Sequence, residues 1–364
     1  MPDRLRLGLI FGGRSTEHEV SVVSAQHVIG AADPLHFEVV PIGVTKSGAW
    51  LSVEETRAAL ERPEPAFKKT LRPPSPQSWG KENEGRGVRS LIRGVQALGD
   101  VDVVFPLIHG THGEDGTLQG LLELADMPYV GCGVAASAIG MDKALMKAAF
   151  LADGLPVGEH TIVNMRDWDA NPVEGARVIE AQLPYPAFVK PANGGSSVGV
   201  SKASNREEMV EAVRIAGQCD TKIIIEEAIS GREVECAVLG NHRPEASPVG
   251  EIRHTREFYD YEAKYLDPST KIIAPTELPP GIERSVKDLA LRAFQAIDGK
   301  GLSRVDFFLR TDGSLIIEEI NTIPGFTPAS MYPRLWQAAG VSYSELVTRL
   351  VDLALERHRE KRIA

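Results

Sequence analysis

Arg304, Asp306, Glu319 and Asn321 fall within residues 304–330 (RVDFFLRTDGSLIIEEINTIPGFTPAS), and their types suit a metal–phosphate site better than they suit packing. Two apolar runs, 302–309 and 315–320, flank Asp312-Gly313. That dipeptide favours a two-residue type I′ hairpin turn, in which both positions need positive φ. With this loop Asp306 faces Glu319, and Arg304 faces Asn321. Alternation along the strands then puts all four on one face. Val305, Phe307, Leu309, Ile316 and Ile320 go to the other face, into a core, and Glu318 also points away from the cluster. Two carboxylates and an amide oxygen held about 5 Å apart by cross-strand pairing form a hard, all-oxygen set. Such a set suits Mg²⁺ shared with substrate phosphates. The plainer alternative is a solvated sheet face with an Arg–Asp ion pair. Against it stands NTIPGFTP, whose prolines and glycine fix a loop directly after this face. A loop there can present backbone N–H groups to a developing oxyanion.

A face of this kind needs a larger scaffold. At 364 residues the chain is too long for one ordinary core, and two or three domains are expected. Hydrophobic content of 43%, charged content of 25% and a net charge of −10 describe a globular protein and argue against nucleic acid as a general partner. No apolar run approaches the ~20 residues of a membrane span. Met1-Pro2-Asp3-Arg4 leads into a strand pattern rather than a signal peptide, so a cytoplasmic location is expected. Cys132, Cys219 and Cys236 are widely spaced and indicate neither a disulfide framework nor a zinc site.

Leu5, Leu7 and Leu9 alternate and run into Ile10-Phe11, which predicts a strand ending at Gly12-Gly13, then a helix over about 20–32. GGRSTEHEVS is not the G-x-G-x-x-G of a dinucleotide site. Strands over 36–44 and 101–108 and a helix over 118–124 continue a small parallel sheet. In HGTHGEDG (109–116), metal ligation by His109 and His112 is weaker than a strand-end loop whose polar groups satisfy a helix N-terminus. His109 still sits where open α/β sheets bind ligands. Residues 61–87, rich in Pro, Gly and charge, are a surface insertion with no assigned chemistry.

From Ala136 a helix pattern runs to Gly154 and opens a second domain. Strands follow over 161–163, 187–191 and 198–202, then a helix over 206–215 and a buried strand over 222–226. NGGSSVG (193–199) is not a P-loop. It nonetheless offers backbone N–H groups and hydroxyls without bulk, as a phosphate cover requires. A flexible hairpin is the alternative, and Lys190 at the end of the preceding strand favours the phosphate reading by adding positive charge. Residues 255–270 (TREFYDYEAKYLDPST) form a loop dense in functional groups, for which an anchored surface loop and a functional loop weigh equally on composition. Helices over 282–297 and 343–359 complete the chain.

In order, GGRSTEHEVS, HGTHGEDGTLQG, MDK, FVKPANGGSSVGVSK, FYDYEAKY, RVDFF and EEINTIPGFTPAS resemble the motifs of the D-alanine–D-alanine ligases of the ATP-grasp superfamily, from Gly12 to Ser330. The resemblance implies an α/β ATP-grasp fold of three α/β domains, with ATP between the central and C-terminal domains. The divisions are 1–135, with the first D-alanine site, 136–224, the central domain, and 225–364, with the metal site. It implies two Mg²⁺ ions with Mn²⁺ able to substitute, D-alanine and ATP as small-molecule partners, no nucleic acid or membrane partner, and a cytoplasmic homodimer.

By the same resemblance, Asp306, Glu319 and Asn321 match metal ligands, and Arg304 with the backbone of Gly325 matches oxyanion stabilisers. Lys143 and Lys190 match phosphate-binding lysines under a loop formed by Ser196, Ser197 and Val198. Glu226, Glu227, Ile229, Glu233 and Lys264 fall among the nucleotide-binding positions. Glu17 matches the acid that receives the ammonium of the first D-alanine, with Ser196 and Tyr265 as its companions. His109, Lys264, Ser330 and Met331 match substrate contacts, Ser330 at the second carboxylate. The implied reaction is ATP-dependent formation of D-alanyl-D-alanine through an acyl phosphate. Another ATP-grasp carboxylate–amine ligase would share the hairpin but not Glu17 or the Tyr265 loop. A regulatory nucleotide-binding protein without catalysis would lack one of the charged residues, and all are present.

Overall fold

The computed structural model describes residues 4–61, 88–253 and 270–362. Beyond Glu61, the insertion expected up to residue 87 lies outside the described residues, and so does the loop bearing Lys264 and Tyr265. The chain begins with β1 (Leu5–Gly12), α1 (His18–Ala31), β2 (Phe37–Val44), α2 (Val53–Glu61), α3 (Val88–Leu98), β3 (Val103–Pro106) and α4 (Thr117–Leu124). Next come α5 (Val134–Met141), α6 (Lys143–Ala152), β4 (His160–Asn164), α7 (Met165–Trp168), α8 (Pro172–Glu180), β5 (Ala187–Pro191), β6 (Ser201–Ala203), α9 (Arg206–Ala216) and β7 (Lys222–Glu227). It ends with β8 (Arg232–Gly240), β9 (Glu245–Arg253), β10 (Lys271–Ile273), α10 (Ile282–Ala296), β11 (Gly301–Leu309), β12 (Leu315–Asn321), α11 (Met331–Ala338) and α12 (Tyr343–Lys361).

Among the described residues these strands form three sheets. The first is parallel, in the order β2-β1-β3. Its strands are nearly continuous apolar runs because both faces are covered. Leu7, Leu9 and Phe105 pack toward Tyr332, Trp336 and Leu350 of the C-terminal helices, while Ile10, Ile42 and Val104 meet Leu118 and Leu122 of α4. At the end of β1 the backbone turns at Gly12, where a Cβ would lie 2.2 Å from the Val44 carbonyl oxygen, so only glycine fits. That turn delivers Glu17 to the N-terminus of α1.

A four-stranded antiparallel sheet, β4-β7-β5-β6, rests on α8 and α9 through Ala176, Met209, Val213 and Ile225. A five-stranded antiparallel sheet, β10-β9-β8-β11-β12, rests on α6 and α10 through Phe150, Phe294, Val234 and Phe307. The helix expected over 136–153 is two helices. Asp142 leaves helical geometry and caps α6, accepting hydrogen bonds from the Ala144 and Leu145 amides at 3.1 Å. Such a cap stabilises a helix by roughly 1 kcal/mol, and here it makes Lys143 the first residue of α6. The strand expected from Val198 begins at Ser201.

The β11–β12 hairpin has the expected pairing at its far end and a different turn. Arg304 pairs with Asn321 and Asp306 with Glu319, but Leu309 pairs with Leu315. The Arg310 amide donates to the Ser314 carbonyl at 2.9 Å, which leaves a loop of Thr311, Asp312 and Gly313, with Gly313 at φ +86. This is the three-residue alternative, a turn closed by a left-handed residue. Asp312 favours it, because its carboxylate accepts from both the amide and the hydroxyl of Ser314. The register shifts back beyond Asp306/Phe307, where Glu318 is the extra residue of β12. Ile317 rather than Ile316 therefore enters the core with Val305, Phe307, Leu309 and Ile320.

Candidate active site

The three sheets meet around a cleft of about 600 Å³, and every described residue singled out by the resemblance lines it. The first wall comes from the C-terminal ends of the parallel strands, where open α/β sheets present ligand sites. Glu17 is at the N-terminus of α1, with its amide held by Ser15 Oγ at 3.0 Å. An acid there is favoured by the helix dipole. His109 is buried and donates from Nδ1 to the Ile323 carbonyl at 2.9 Å, tying the first sheet to the loop after β12. His112 is exposed on the same loop and is not part of the cleft lining.

The second wall is the four-stranded sheet with its glycine-rich loop. Ser196 and Ser197 both adopt left-handed backbone, φ 52 and 57. Serine rarely occupies that region, and such strain collects at functional sites. Ser196 is buried, and its hydroxyl has no hydrogen-bond partner among the described residues. Lys143 reaches this loop from α6, donating to the Gly194 carbonyl at 3.0 Å, and it also lies 3.4 Å from Glu319 Oε2. Lys190 lies 2.6 Å from Glu226 Oε2 and 2.5 Å from Glu318 Oε1. Burial alone would lower the Lys190 pKa, but these two carboxylates outweigh it and hold the ammonium well above the ordinary lysine range. Burial likewise opposes ionisation of Glu226, and Lys147 and Lys190 overcome it, so its carboxyl is held far below the usual range. Both of its oxygens are thus engaged by lysines. Glu227 is engaged too, accepting from the Glu159 amide at 3.0 Å and meeting Arg310 at 2.9 Å.

The third wall is the cleft face of the five-stranded sheet. Arg304 donates from Nε and Nη2 to the two oxygens of Asp306, each at 2.7 Å, and its Nε is also 2.9 Å from Glu235. Burial opposes the guanidinium charge, but Asp306 and Glu235 stabilise it beyond its ordinary level. Asn321 Nδ2 lies 3.1 Å from Asp306 Oδ2 and 3.4 Å from Glu319 Oε1. Exchanging the amide's oxygen and nitrogen, which are interchangeable in shape, would turn an oxygen toward both carboxylates. The donor set then fits a hard cation such as Mg²⁺. No group of three or more His, Cys, Asp or Glu positioned for a metal occurs among the described residues, and here the third member is an amide. After β12, Gly325 runs so close to Ser330 that a Cβ would come within 3.1 Å of its hydroxyl. Ser330 Oγ accepts from the Thr327 amide at 3.2 Å and precedes α11, whose first residue Met331 is buried.

Among the site residues, one expectation is overturned. Glu318 does not face away from the cluster: the bulge turns it into the cleft and onto Lys190. Among the cleft residues that carry no role in the sequence reading are Glu114, Lys147, Glu235 and Glu318. Lys147 follows Lys143 by one helical turn, and Glu235 follows Glu233 by two strand positions, so periodicity placed both on the functional face. Glu114 has no such signal. It is buried beside Glu17, and burial first, then the Glu17 charge, push its carboxyl up to about 8.

Two families match the chain: the D-ala D-ala ligase N-terminus over residues 6–132 and the D-ala D-ala ligase C-terminus over residues 149–352. The D-alanine–D-alanine ligase of Ruminiclostridium cellulolyticum is 47% identical, covering 98% of this chain and 97% of that protein. That of Geobacillus kaustophilus is 47% identical, covering 98% and 96%. Among solved structures, the D-alanine-D-alanine ligase from Coxiella burnetii superposes with a TM-score of 0.79 at 33% identity, over 99% of this chain and 96% of that one. The VanG D-Ala:D-Ser ligase from Enterococcus faecalis gives 0.78 at 33% identity, over 97% and 100%.

Proposed function

The chain belongs to the D-alanine–D-alanine ligase family, and from that membership we propose that it joins two D-alanine molecules, with hydrolysis of ATP to ADP and phosphate, into the dipeptide used in peptidoglycan precursors. The observation that carries this reading is one cleft that collects an acid from the first sheet, two lysines around the glycine-rich loop, and the Arg304–Asp306–Glu319–Asn321 face. A carboxylate is a poor electrophile, so the first D-alanine is activated by phosphoryl transfer to its carboxylate. Glu17 receives its ammonium in a charge-assisted hydrogen bond, and His109, which lines the same cleft, matches a further first-site residue by the family resemblance. Lys143 and Lys190 offset the negative charge of the ATP phosphates, and Ser196, Ser197 and Val198 cover them. Ile229, Glu233 and the backbone at Glu226 and Glu227 border the adenosine end.

The amine of the second D-alanine then attacks the acyl phosphate. Ser330 and Met331 border its carboxylate, and the tetrahedral oxyanion is stabilised by Arg304 and the Gly325 amide. Each such donor accounts for about 3–4 kcal/mol of transition-state stabilisation. Asp306, Glu319 and Asn321 would hold Mg²⁺, two ions by the family resemblance with Mn²⁺ able to substitute, whose bound charge screens the transferring phosphoryl group. By the family resemblance, Lys264 belongs to this reading as a nucleotide and substrate contact, and Tyr265 as part of a segment that excludes water. The same resemblance supports a homodimer and the division at residues 135 and 224. A cytoplasmic location accords with the lack of any helix among the described residues that is long and apolar enough to cross a membrane.

Phosphate release from ATP, measured in parallel with D-alanine, L-alanine, D-serine and D-lactate, tests the substrate class. D-Alanine alone should support turnover with D-alanyl-D-alanine as product, and L-alanine should not. Faster mixed synthesis with D-serine or D-lactate would move the second-site assignment, and turnover with L-alanine would refute it.

A further inference from the structure

Lys147 has no part in the mechanism above, yet it is among the most deeply buried charges of the protein, at 2% exposure. Its Nζ lies 2.8 Å from Glu226 Oε1 and donates to the Glu318 carbonyl at 3.3 Å. Glu226 Oε2 in turn meets Lys190, and Lys190 meets the Glu318 carboxylate. The charges alternate in sign along a closed ring: Lys147, Glu226, Lys190, Glu318, and back through the backbone of Glu318. The ring joins α6, the last turn of the central sheet at β7, the strand β5, and the bulge of β12. Both ATP-facing sheets are therefore tied to a single ammonium.

The chemistry of each member assigns it a different task. Lysine is a compact charge on a flexible four-carbon stem, so Lys190 needs external partners to fix its position. Glu226 and Glu318 take two of its three donors and leave the third for the cleft. Glu226 can hold that geometry only while its other oxygen is anchored, and Lys147 is the anchor. The Glu318 carbonyl belongs to the extra residue of a bulge, where ladder pairing is interrupted, and Lys147 supplies a donor to it. Removal of one partner from a buried ionic group leaves an uncompensated charge, which the remaining members must rearrange to satisfy.

We propose that Lys147 is a positioning residue for the phosphate end of the nucleotide: through Glu226 and the Glu318 bulge it fixes Lys190 at the cleft. This rests on the reading of Lys190 as a phosphate ligand, and the test separates the two. Binding of ADP and of adenosine is measured by calorimetry with the full-length protein, Lys190→Met, Lys147→Met and the double variant. Lys190→Met should weaken ADP roughly tenfold or more, and adenosine less than about twofold, because adenosine has no phosphate. Lys147→Met should show the same selectivity with an ADP loss of about five- to tenfold, and should add less than about twofold in the Lys190→Met background, as coupled residues do. Should Lys147→Met not fold, Lys147→Gln, which is polar but lacks the ammonium that anchors Glu226, replaces it in the same ADP-to-adenosine comparison. If Lys190→Met leaves ADP binding intact, the phosphate reading fails and the inference with it. If Lys190→Met weakens ADP but the Lys147 variant does not, or weakens adenosine equally, or adds its full effect to the double variant, Lys147 does not act through Lys190 and the inference alone is overturned.

Discussion

Asp306 and Glu319 stand directly opposite each other across the β11–β12 hairpin, with Asn321 Nδ2 3.1 Å from Asp306 and 3.4 Å from Glu319. Arg304, two residues before Asp306, holds both of that residue's oxygens. Arg304, on Asp306, and Lys143, 3.4 Å from Glu319 Oε2, are cations already built into this acidic face, and further positive charge would have to come with a ligand. The chemistry at this face therefore depends on the charge of Glu319, not only on its shape.

Glu319→Gln keeps the size of the side chain and removes that charge. Ligation should fall by about 10²-fold or more, the scale of losing a preorganised electrostatic contact in phosphoryl transfer. Glu318→Gln should act differently, since Glu318 pairs with Lys190. It should alter the KM for ATP several-fold and leave kcat within about tenfold, because an ion pair rather than the reacting centre is touched. Steady-state kinetics of both variants check the distinction. Equal loss of kcat from both would contradict separate roles for the two neighbouring glutamates.

For Glu17, the expectation concerns the first substrate. Its carboxylate lies beside the glycine-rich loop, where a Cβ on Gly195 would sit 3.8 Å from Oε2. Glu17→Gln should raise the first-site KM at least about tenfold through loss of a charge-assisted hydrogen bond, with the KM for ATP little changed. A rise in the KM for ATP alone would place Glu17 in the nucleotide site instead.

Glu114 should leave a pH signature in stability. Burial first, and the Glu17 charge second, raise its carboxyl from 4.5 to about 8. The folded chain then holds a proton that the unfolded chain releases, so this group lowers stability as pH rises from about 4.5 and reaches its full penalty above about 8. Glu114→Gln removes the penalty. Its melting temperature relative to the wild type should therefore increase between pH 5 and pH 9, by an amount equivalent to up to a few kcal/mol. Thermal melts of the two proteins across that range give the answer, and a pH-independent difference would show that Glu114 does not titrate in the folded state in this way.

Much of this arrangement is legible in the sequence because the periodicities are simple. The alternation of Arg304, Val305, Asp306 and Phe307 gives the functional and core faces of β11 directly, and the burial follows it residue by residue. Near the turn the reading breaks down. Asp312-Gly313 permits two loop lengths, and the side chain of Asp312 selects the longer by bonding Ser314. The resulting one-residue offset would have put Glu319 on the wrong face, but the bulge at Glu318 cancels it. Two irregularities of opposite effect thus gave the right pairing of Asp306 with Glu319 and the wrong direction for Glu318. Glu114 and the partners of Lys147 are illegible for another reason: Lys147 shares a helix face with Lys143, but its ion pair with Glu226, like the burial of Glu114 beside Glu17, joins distant segments and has no local sequence signal.

The central claim, that this cleft activates a D-alanine carboxylate by phosphorylation, is tested most directly by oxygen transfer. D-Alanine labelled with ¹⁸O in its carboxylate is turned over with ATP, and the released phosphate is analysed by mass spectrometry. Formation and aminolysis of an acyl phosphate moves one carboxylate oxygen into phosphate for each dipeptide formed, so phosphate should carry one ¹⁸O in stoichiometric proportion to D-alanyl-D-alanine. Phosphate without ¹⁸O, accompanying dipeptide formation, would contradict the account.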